Sequence, residues 1–287
     1  MFGPASGALG GNQSWWESLT RTSPGAARRT QYKSAGVRLF AMTCGWLSSD
    51  LRMMLAGKEG TIRFPVPAYL IEHPKGRVLF DTGLHPQSQH DALGRIGALA
   101  KLFHVEFRPG EDIKSRLEEL EIDAGRIDYV INSHLHFDHT GGNELVPNAR
   151  IIIQEREWEA GHLPELIEAN AFNPNDYEHG HLVKQVNGEF DLFGDGAVVA
   201  VPTFGHTPGH QSLKVKLTCG DVVLAADACY LRQTIEDLHL PELVFNRAQM
   251  LNSLFLLRKL QSAGARIFYG HDPSFWRQIP QAPLEIV

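Results

Sequence analysis

One run of ten residues holds the densest group of side chains that could do chemistry. Residues 133–142 read Ser-His-Leu-His-Phe-Asp-His-Thr-Gly-Gly, and they place His134, His136, Asp138 and His139 within six positions. Imidazole nitrogens and carboxylate oxygens are the donor atoms that suit zinc and related divalent ions. Because one such ion takes three or four of these donors, this run alone predicts a metal site.

The segment before the run indicates how these donors are positioned. Residues 129–132 are a short apolar stretch, typical of a buried strand that ends at the cluster. Side chains alternate along extended backbone, so His134 and His136 project to the same side. Asp138 and His139 follow at a predicted turn, where the chain can direct both towards a neighbouring point. The donors are therefore expected to converge just beyond the end of a strand.

The remaining elements after residue 36 are mostly short strands. Periodicity and turn signals predict strands at 37–42, 65–72, 77–81, 129–132, 151–154, 182–186, 197–201, 213–217, 222–226 and 266–269. They predict helices at 111–120, 155–170 and 247–263. The strands come in runs of two or three, which favours an α/β (α+β) fold of two mixed sheets between helices over a doubly wound parallel sheet.

Composition limits the class of protein and its partners. The chain has 287 residues, of which 43% are hydrophobic and 21% charged, an ordinary globular balance. The formal charge of −6 argues against a nucleic acid as the main partner, and no run of 18 apolar residues predicts a membrane span. Three cysteines without CxxC spacing, and no signal-peptide pattern, favour a cytoplasmic location.

The first 35 residues differ in composition from the rest of the chain. They are rich in Gly, Ser, Ala and Thr, which predicts an N-terminal arm or extension over 1–35 and a single catalytic domain over 36–287. The adjacent Trp15 and Trp16 are costly to leave in water, so part of the arm is expected to pack on the domain or on a partner subunit. Packing of the arm on a partner subunit would make the protein a homodimer.

Five motifs in this order resemble those of the metallo-β-lactamase superfamily. They are Asp81-Thr82-Gly83, His134-x-His136-x-Asp138-His139, Gly205-His206-Thr207-Pro208-Gly209-His210, Ala226-Asp227-Ala228-Cys229-Tyr230 and Gly270-His271-Asp272. The resemblance extends from about residue 37 to the end of the chain. It implies an αββα sandwich with a dinuclear metal site at one edge.

Within that superfamily, the sequence looks most like the N-acyl homoserine lactonases, hydrolases that open the lactone ring of quorum-sensing signals. The resemblance implies two divalent ions, with zinc the first expectation and cobalt, manganese or iron also suited to the donors. One ion would be held by His134, His136 and His206, the other by Asp138, His139 and His271, with Asp227 bridging both. A hydroxide that bridges the two ions would then attack the lactone carbonyl of a small-molecule substrate.

Other residues receive roles from the same resemblance. The lactonases have a tyrosine beside the substrate at the position of Tyr230, so Tyr230 and Asp138 are the expected catalytic side chains. Phe64 and Phe137 are expected to line an apolar substrate pocket, and Trp46 and Met53 are weaker candidates for it. Asp81 is expected either to orient a ligand histidine or to cap its own turn, and His210 to have a structural role.

Three other readings stay open at this stage. A thioester hydrolase of the glyoxalase II kind would share the metal ligands, but it usually needs basic residues for glutathione, and no C-terminal basic cluster is evident. Another hydrolase of the superfamily is a second alternative, although the acidic balance argues against a phosphodiesterase or nuclease. A non-catalytic or diiron module is also conceivable. Its relatives commonly carry an acidic residue where His136 stands, which argues against that class.

Overall fold

Two β-sheets lie at the centre of the computed structural model, which describes residues 36–287. Helices cover the outer face of each sheet, so the described part of the chain is the αββα sandwich that the sequence predicts. The predicted arm over residues 1–35 and the packing of Trp15 and Trp16 lie outside the described residues.

The first sheet contains seven strands. They are β1 (Arg38–Asp50), β2 (Thr61–His73), β3 (Gly76–Phe80), β4 (His104–Glu106), β5 (Tyr129–Ile131), β6 (Arg150–Gln154) and β7 (Val183–Val186). Their spatial order is β4-β1-β2-β3-β5-β6-β7. The ladder is antiparallel from β4 to β3 and parallel from β3 to β7, so the carboxyl ends of β3, β5 and β6 lie at one edge.

The second sheet contains five strands. They are β8 (Phe190–Asp191), β9 (Val198–Pro202), β10 (Gln211–Leu217), β11 (Gly220–Leu224) and β12 (Arg266–Phe268). Their order is β12-β11-β10-β9-β8, with β10 antiparallel to both of its neighbours and β12 parallel to β11. The carboxyl ends of β9, β11 and β12 therefore also share one edge.

Eight α-helices connect and cover the sheets within residues 36–287. They are α1 (Ala92–Ile96), α2 (Ile113–Glu118), α3 (Phe137–Thr140), α4 (Glu155–Ala160), α5 (Pro164–Asn170), α6 (Arg232–Glu236), α7 (Arg247–Ser262) and α8 (Pro273–Trp276). None of them is long and apolar enough to cross a membrane.

Alternation along the strands divides the core into three layers. Val78 and Phe80 of β3 face the second sheet, whereas Leu79 between them packs with α2 residues such as Leu117. On the second sheet, Val223 of β11 belongs to the layer that packs against α7. The central strands are therefore buried on both faces, which explains the consecutive apolar residues of β3, β5, β6 and β11.

The predicted single helix over 155–170 is wrong, because the structure has two helices there. α4 ends at Ala160 and α5 begins at Pro164. Leu163, which precedes the proline, has extended backbone with φ −101° and ψ 115°. Proline disfavours helical backbone at the residue before it and cannot donate its own N–H, so the break follows from Pro164.

Candidate metal centre

The motifs come together because each follows a strand that ends at the same edge of the sandwich. Asp81 follows β3, the segment from His134 follows β5, His206 follows β9, Asp227 follows β11, and His271 follows β12. At two of these turns the backbone is left-handed at a non-glycine residue, with φ 59° at Asp81 and φ 45° at Ala226. Such backbone costs about 1–3 kcal/mol per residue and is concentrated at functional sites.

Three imidazoles, here called the first donor group, converge from two segments: His134, His136 and His206. His134 Nε2 lies 2.9 Å from His136 Nδ1 and 3.2 Å from His206 Nε2. His136 Nδ1 and His206 Nε2 are 3.0 Å apart. Three ring nitrogens at this spacing face one common point, which is the arrangement that a cation with nitrogen ligands requires.

A second donor group lies beside the first and consists of Asp138, His139 and His271. Asp138 Oδ2 is 3.6 Å from His139 Nε2 and 3.7 Å from His271 Nε2. Asp227 stands between the two groups. Its Oδ2 is 3.2 Å from His206 Nε2 in the first group, and its Oδ1 lies 3.2 Å from His139 Nε2 and 3.1 Å from His271 Nε2 in the second. One carboxylate thus presents one oxygen to each group.

The ring nitrogen of each histidine that points away from the centre also has a partner. The pairs are His134 Nδ1 with Ser133 Oγ (2.9 Å), His136 Nε2 with the Asn170 carbonyl (2.8 Å), His139 Nδ1 with Asp81 Oδ2 (2.8 Å), His206 Nδ1 with the Tyr230 hydroxyl (3.1 Å) and His271 Nδ1 with the Pro65 carbonyl (2.8 Å). A carbonyl can only accept, so His136 and His271 donate outwards and present a lone pair inwards. Ring orientation is thereby determined before any ion binds.

Two buried atoms at the centre, His139 Nε2 and Asp227 Oδ1, lie 3.2 Å apart but not in hydrogen-bond geometry, and neither has another hydrogen-bond partner among the described residues. An unsatisfied buried polar atom costs about 1–3 kcal/mol, so its persistence needs an explanation. Within each donor group, taken with Asp227 in the first, the ligand atoms lie within 4.8 Å of one another. The orphaned atoms and the converging donors fit divalent cations, and the two groups can hold two of them.

Burial and local charge set the protonation of these groups. Burial holds the pKa of His134 and of His206 well below the usual histidine value, so both rings are neutral at pH 7. Burial also acts to lower the pKa of His139, but the carboxylates of Asp227, Asp138 and Asp81 raise it well above that value. This excess of negative charge, which attracts a proton to His139, attracts a divalent cation in the same way.

His210 lies outside both donor groups, which agrees with the structural role expected for it. Its Nε2 accepts a hydrogen bond from the Asp227 backbone N–H at 3.1 Å, and its Nδ1 lies 2.9 Å from Thr203 Oγ1. Asp81 likewise takes the orienting role, since its two oxygens bond Ser133 and His139. The carbonyls of Asn170 and Pro65 were not anticipated, because a backbone acceptor leaves no signal in side-chain type.

A cavity of about 300 Å³ opens onto the metal centre. Its floor contains members of both donor groups together with Tyr230, and its walls are mainly apolar. The structure places Phe64, Phe137 and Met53 among the residues that line this cavity. Further wall residues come from segments without a motif: Met54, Leu99, Leu102, Phe103, Leu243, Val244 and Phe245.

Trp46 does not join the cavity walls, in contrast to the expectation. It packs towards the layer between the two sheets, and the guanidinium of Arg63 lies 4.1 Å from its ring centre. The next residue, Leu47, belongs instead to the apolar cluster that contains Phe64. Neighbouring residues of a strand point to opposite faces, so only one of the two can face the cavity side.

Tyr230 lies at the cavity floor between two of the histidines. Its ring is stacked near His271, with centroids 5.6 Å apart and an interplanar angle of 27°, and its hydroxyl is 3.1 Å from His206 Nδ1. Burial raises the pKa of the phenol well above its ordinary value, so the hydroxyl keeps its proton at neutral pH. It is therefore available as a hydrogen-bond donor.

The family model described as the metallo-beta-lactamase superfamily matches residues 61–271, which include every residue of both donor groups. The chain belongs to the metallo-beta-lactamase superfamily. Among the relatives of this superfamily member is the N-acyl homoserine lactonase AttM of Azorhizobium caulinodans, which is 32% identical over 86% of this chain and 97% of the relative. The N-acyl homoserine lactonase AiiA of Bacillus thuringiensis subsp. kurstaki is 32% identical over a match that covers 74% of this chain and 82% of AiiA.

Solved structures agree with the superfamily assignment. An N-acyl homoserine lactone hydrolase with N-hexanoyl-L-homoserine bound at its catalytic metal centre superposes with a TM-score of 0.77 at 28% identity, covering 87% of this chain and 98% of the other. An AiiA variant of B. thuringiensis with N-decanoyl-L-homoserine at the active site gives a TM-score of 0.78 at 27% identity with the same coverage. The shared fold therefore includes almost the whole length of both neighbours.

Proposed function

We propose that this protein is a metal-dependent hydrolase that opens the lactone ring of N-acyl homoserine lactones to N-acyl homoserines. The main support is the match to a structure that holds N-hexanoyl-L-homoserine at its catalytic metal centre. The relative AttM supports it too, because it is named as an N-acyl homoserine lactonase and the sequence match covers nearly its full length. A cavity with a charged floor and apolar walls suits a polar lactone that carries an acyl tail.

The proposed ligands follow the two donor groups. His134, His136 and His206 hold one divalent ion, the second donor group holds the other, and Asp227 takes part in both sites. We assign zinc as the first candidate, because nitrogen-rich sites with carboxylate oxygens suit it, with cobalt, manganese and iron as alternatives. Elemental analysis of the purified full chain tests this assignment, and fewer than two ions per active chain would refute it.

The bound ions supply Lewis acidity, which activates water and polarises the lactone carbonyl. The chain's own residues bind the substrate, stabilise the developing charge and transfer the proton. Apolar walls around Phe64 and Phe137 hold the acyl amide tail and exclude water from the cavity. The Tyr230 hydroxyl donates a hydrogen bond to the oxygen on which negative charge develops. Asp138, which lines the same cavity, carries a proton to the leaving ring oxygen, so that the products are a carboxylate and a free hydroxyl.

One assay separates this activity from thioester hydrolysis. The full chain is tested with acyl homoserine lactones of several lengths, followed by proton release, and with a glutathione thioester, followed by thiol release. Cleavage of at least one lactone is expected to exceed cleavage of the thioester by tenfold or more in kcat/KM. Equal or better cleavage of the thioester would overturn the lactonase assignment in favour of a glyoxalase II-like enzyme.

A matched pair of variants shows that the activity belongs to the metal centre. Asp227→Asn should abolish lactone hydrolysis, because its side chain lies between both donor groups. His162→Asn should leave it unchanged, since this histidine bonds Glu178 and the Trp158 carbonyl outside both groups. Activity that survives Asp227→Asn would assign the reaction to another site or to a contaminant.

We further propose a cytoplasmic location, and a homodimer because the adjacent Trp15 and Trp16 are costly to leave in water. The first is supported by the cysteines, all three of which are free, with Cys44 and Cys229 buried and Cys219 exposed. Fractionation of the source cell tests the location. Light scattering of the full chain tests the dimer, and a monomer mass across the working concentration range would refute it.

A further inference from the structure

Glu157 is a buried carboxylate that contacts both segments of the first donor group. It is the third residue of α4 and is completely inaccessible to solvent. Its Oε1 accepts a hydrogen bond from the Leu135 N–H at 3.1 Å, and its Oε2 accepts one from the Gly209 N–H at 2.6 Å. Leu135 lies between His134 and His136, and Gly209 is three residues after His206. A single side chain therefore joins the two segments that supply the three imidazoles.

Helix α4 packs closely against both segments that supply the three imidazoles. A Cβ on Gly209 would lie 2.3 Å from the Glu157 backbone nitrogen, and a Cβ on Gly161 would lie 2.4 Å from Leu135 Cδ1. The backbone of α4 cannot shift to make room at Gly209, so this position requires glycine, whereas at Gly161 the contact is with the end of a leucine side chain that could move. The carboxylate consequently reaches both amides directly, without an intervening water.

Keeping a carboxylate at this position is costly for the fold. Burial raises the pKa of Glu157 to about 7, although the Gly209 and Leu135 amides act to lower it. A well-packed apolar side chain avoids that desolvation, but it would leave both amides without an acceptor. The second donor group does not depend on Glu157. His139 is oriented by Asp81, and His271 by the Pro65 carbonyl.

We propose that Glu157 is a positioning residue that sets the spacing between the His134–His136 segment and His206, and thereby the divalent-ion affinity of the first donor group alone. The proposal rests on the ligand assignment made under the proposed function. Outer-shell partners of metal ligands typically contribute roughly 10–100-fold to metal affinity. Glu157 acts one step further out, through the backbone of the ligand segments, and the expected effect lies in the same range.

The test is a zinc titration of metal-free full chain in competition with a chromophoric chelator. The parent chain should show two binding steps, which His206→Asn and His271→Asn assign by removing the first and the second respectively. In Glu157→Gln, the step assigned by His206→Asn should weaken roughly 10–100-fold, with the other step unchanged within threefold. Asp176→Asn makes the same carboxylate-to-amide change at another buried position, and it should leave both steps unchanged.

A second variant, together with a test of whether both variants fold without metal, makes the result decisive. Glu157→Asp retains the charge but is too short to reach both amides, and it should weaken the same step. Both variants should fold without metal, because the Gln211 N–H still donates to the Ser133 carbonyl at 2.9 Å and joins the two sheets. The proposal is overturned by unchanged zinc affinity, by equal weakening of both steps, or by loss of the metal-free fold in both variants. Fewer than two steps in the parent chain would instead refute the ligand assignment itself.

Discussion

Replacing Tyr230 with phenylalanine removes one hydroxyl from the cavity floor and leaves the ring in place. The ring contacts with His271 and His206, both with centroids 5.6 Å apart, need only the aromatic face and edge. The hydroxyl lies 3.1 Å from His206 Nδ1, and the nearby Asp227 carboxylate adds to the effect of burial in raising the phenol pKa. The substitution therefore tests whether the hydroxyl acts on the substrate or only on its histidine neighbour.

The structure sets the size of the expected effect. Removing a donor to a developing oxyanion costs roughly 2.7–4 kcal/mol of transition-state stabilisation. With His206 Nε2 facing an ion, the ring proton of this neutral histidine sits on Nδ1 and is donated to the Tyr230 oxygen. This bond leaves the hydroxyl's own proton free for the substrate, so Tyr230→Phe should lose the whole of about 2.7–4 kcal/mol. That corresponds to a fall of roughly 100–1,000-fold in kcat.

The assay is steady-state hydrolysis of one acyl homoserine lactone at saturating zinc, with metal content measured on the same sample. kcat should fall, KM should stay within about twofold, and the ion count should not change, because the interaction forms in the transition state. Tyr177→Phe is the matched control. Its hydroxyl donates to the Gly161 carbonyl at 2.7 Å, so the variant should lose stability but keep its kcat.

Two results would contradict this reasoning. If kcat and KM of Tyr230→Phe both stay within twofold of the parent at full metal content, the hydroxyl has no part in catalysis. If activity falls only because zinc is lost, and excess zinc restores it completely, the hydroxyl acts through His206 alone.

The remaining predictions concern metal content, pH and the acyl tail. Asp227→Asn should lower the ion count at both sites, because each carboxylate oxygen faces one donor group; elemental analysis that still finds two ions would contradict the bridging role. Burial raises the pKa of Asp176 to about 6 from its ordinary value of 3.8, despite Arg95 beside it. The folded state therefore binds this proton more tightly than the unfolded state, and the free energy of unfolding falls as pH rises from the unfolded pKa through the folded pKa. In urea unfolding, the free energy of unfolding of the parent should fall by about 1.4 kcal/mol relative to that of Asp176→Asn between roughly pH 5 and 7.5. If the two proteins show the same pH dependence of stability, the pKa of Asp176 is not raised. Phe245→Ala at the cavity wall should raise KM for long-chain lactones about fivefold and leave KM for short-chain lactones unchanged. Leu182 is exposed and lies outside the cavity walls, so Leu182→Ala should change neither KM value.

Local patterns in the sequence were sufficient for most of the elements. The strands from β1 to β3 and from β9 to β12 follow from apolar runs bounded by turn residues, and the helices α2 and α7 follow from their spacing. β4 and β8, with three and two residues, are too short to produce a period. The break before Pro164 was missed because the apolar spacing of α4 continues into α5, although proline ends the helix on backbone grounds.

The four candidate ligands within residues 134–139 could be named from the residues alone, because metal coordination demands particular side-chain types and these stand together after a predicted strand. The other three, His206, Asp227 and His271, were named because their motifs resemble those of the metallo-β-lactamase superfamily. That information is local, and so it survives in a linear reading. The tertiary structure decided what surrounds them. It brought the Pro65 and Asn170 carbonyls to His271 and His136, and it placed Glu157 between two segments that are distant in sequence. It turned Trp46 away from the cavity and supplied walls from segments around Phe103 and Phe245. These contacts depend on backbone atoms and on the packing of distant segments, which have no signature in the order of residues.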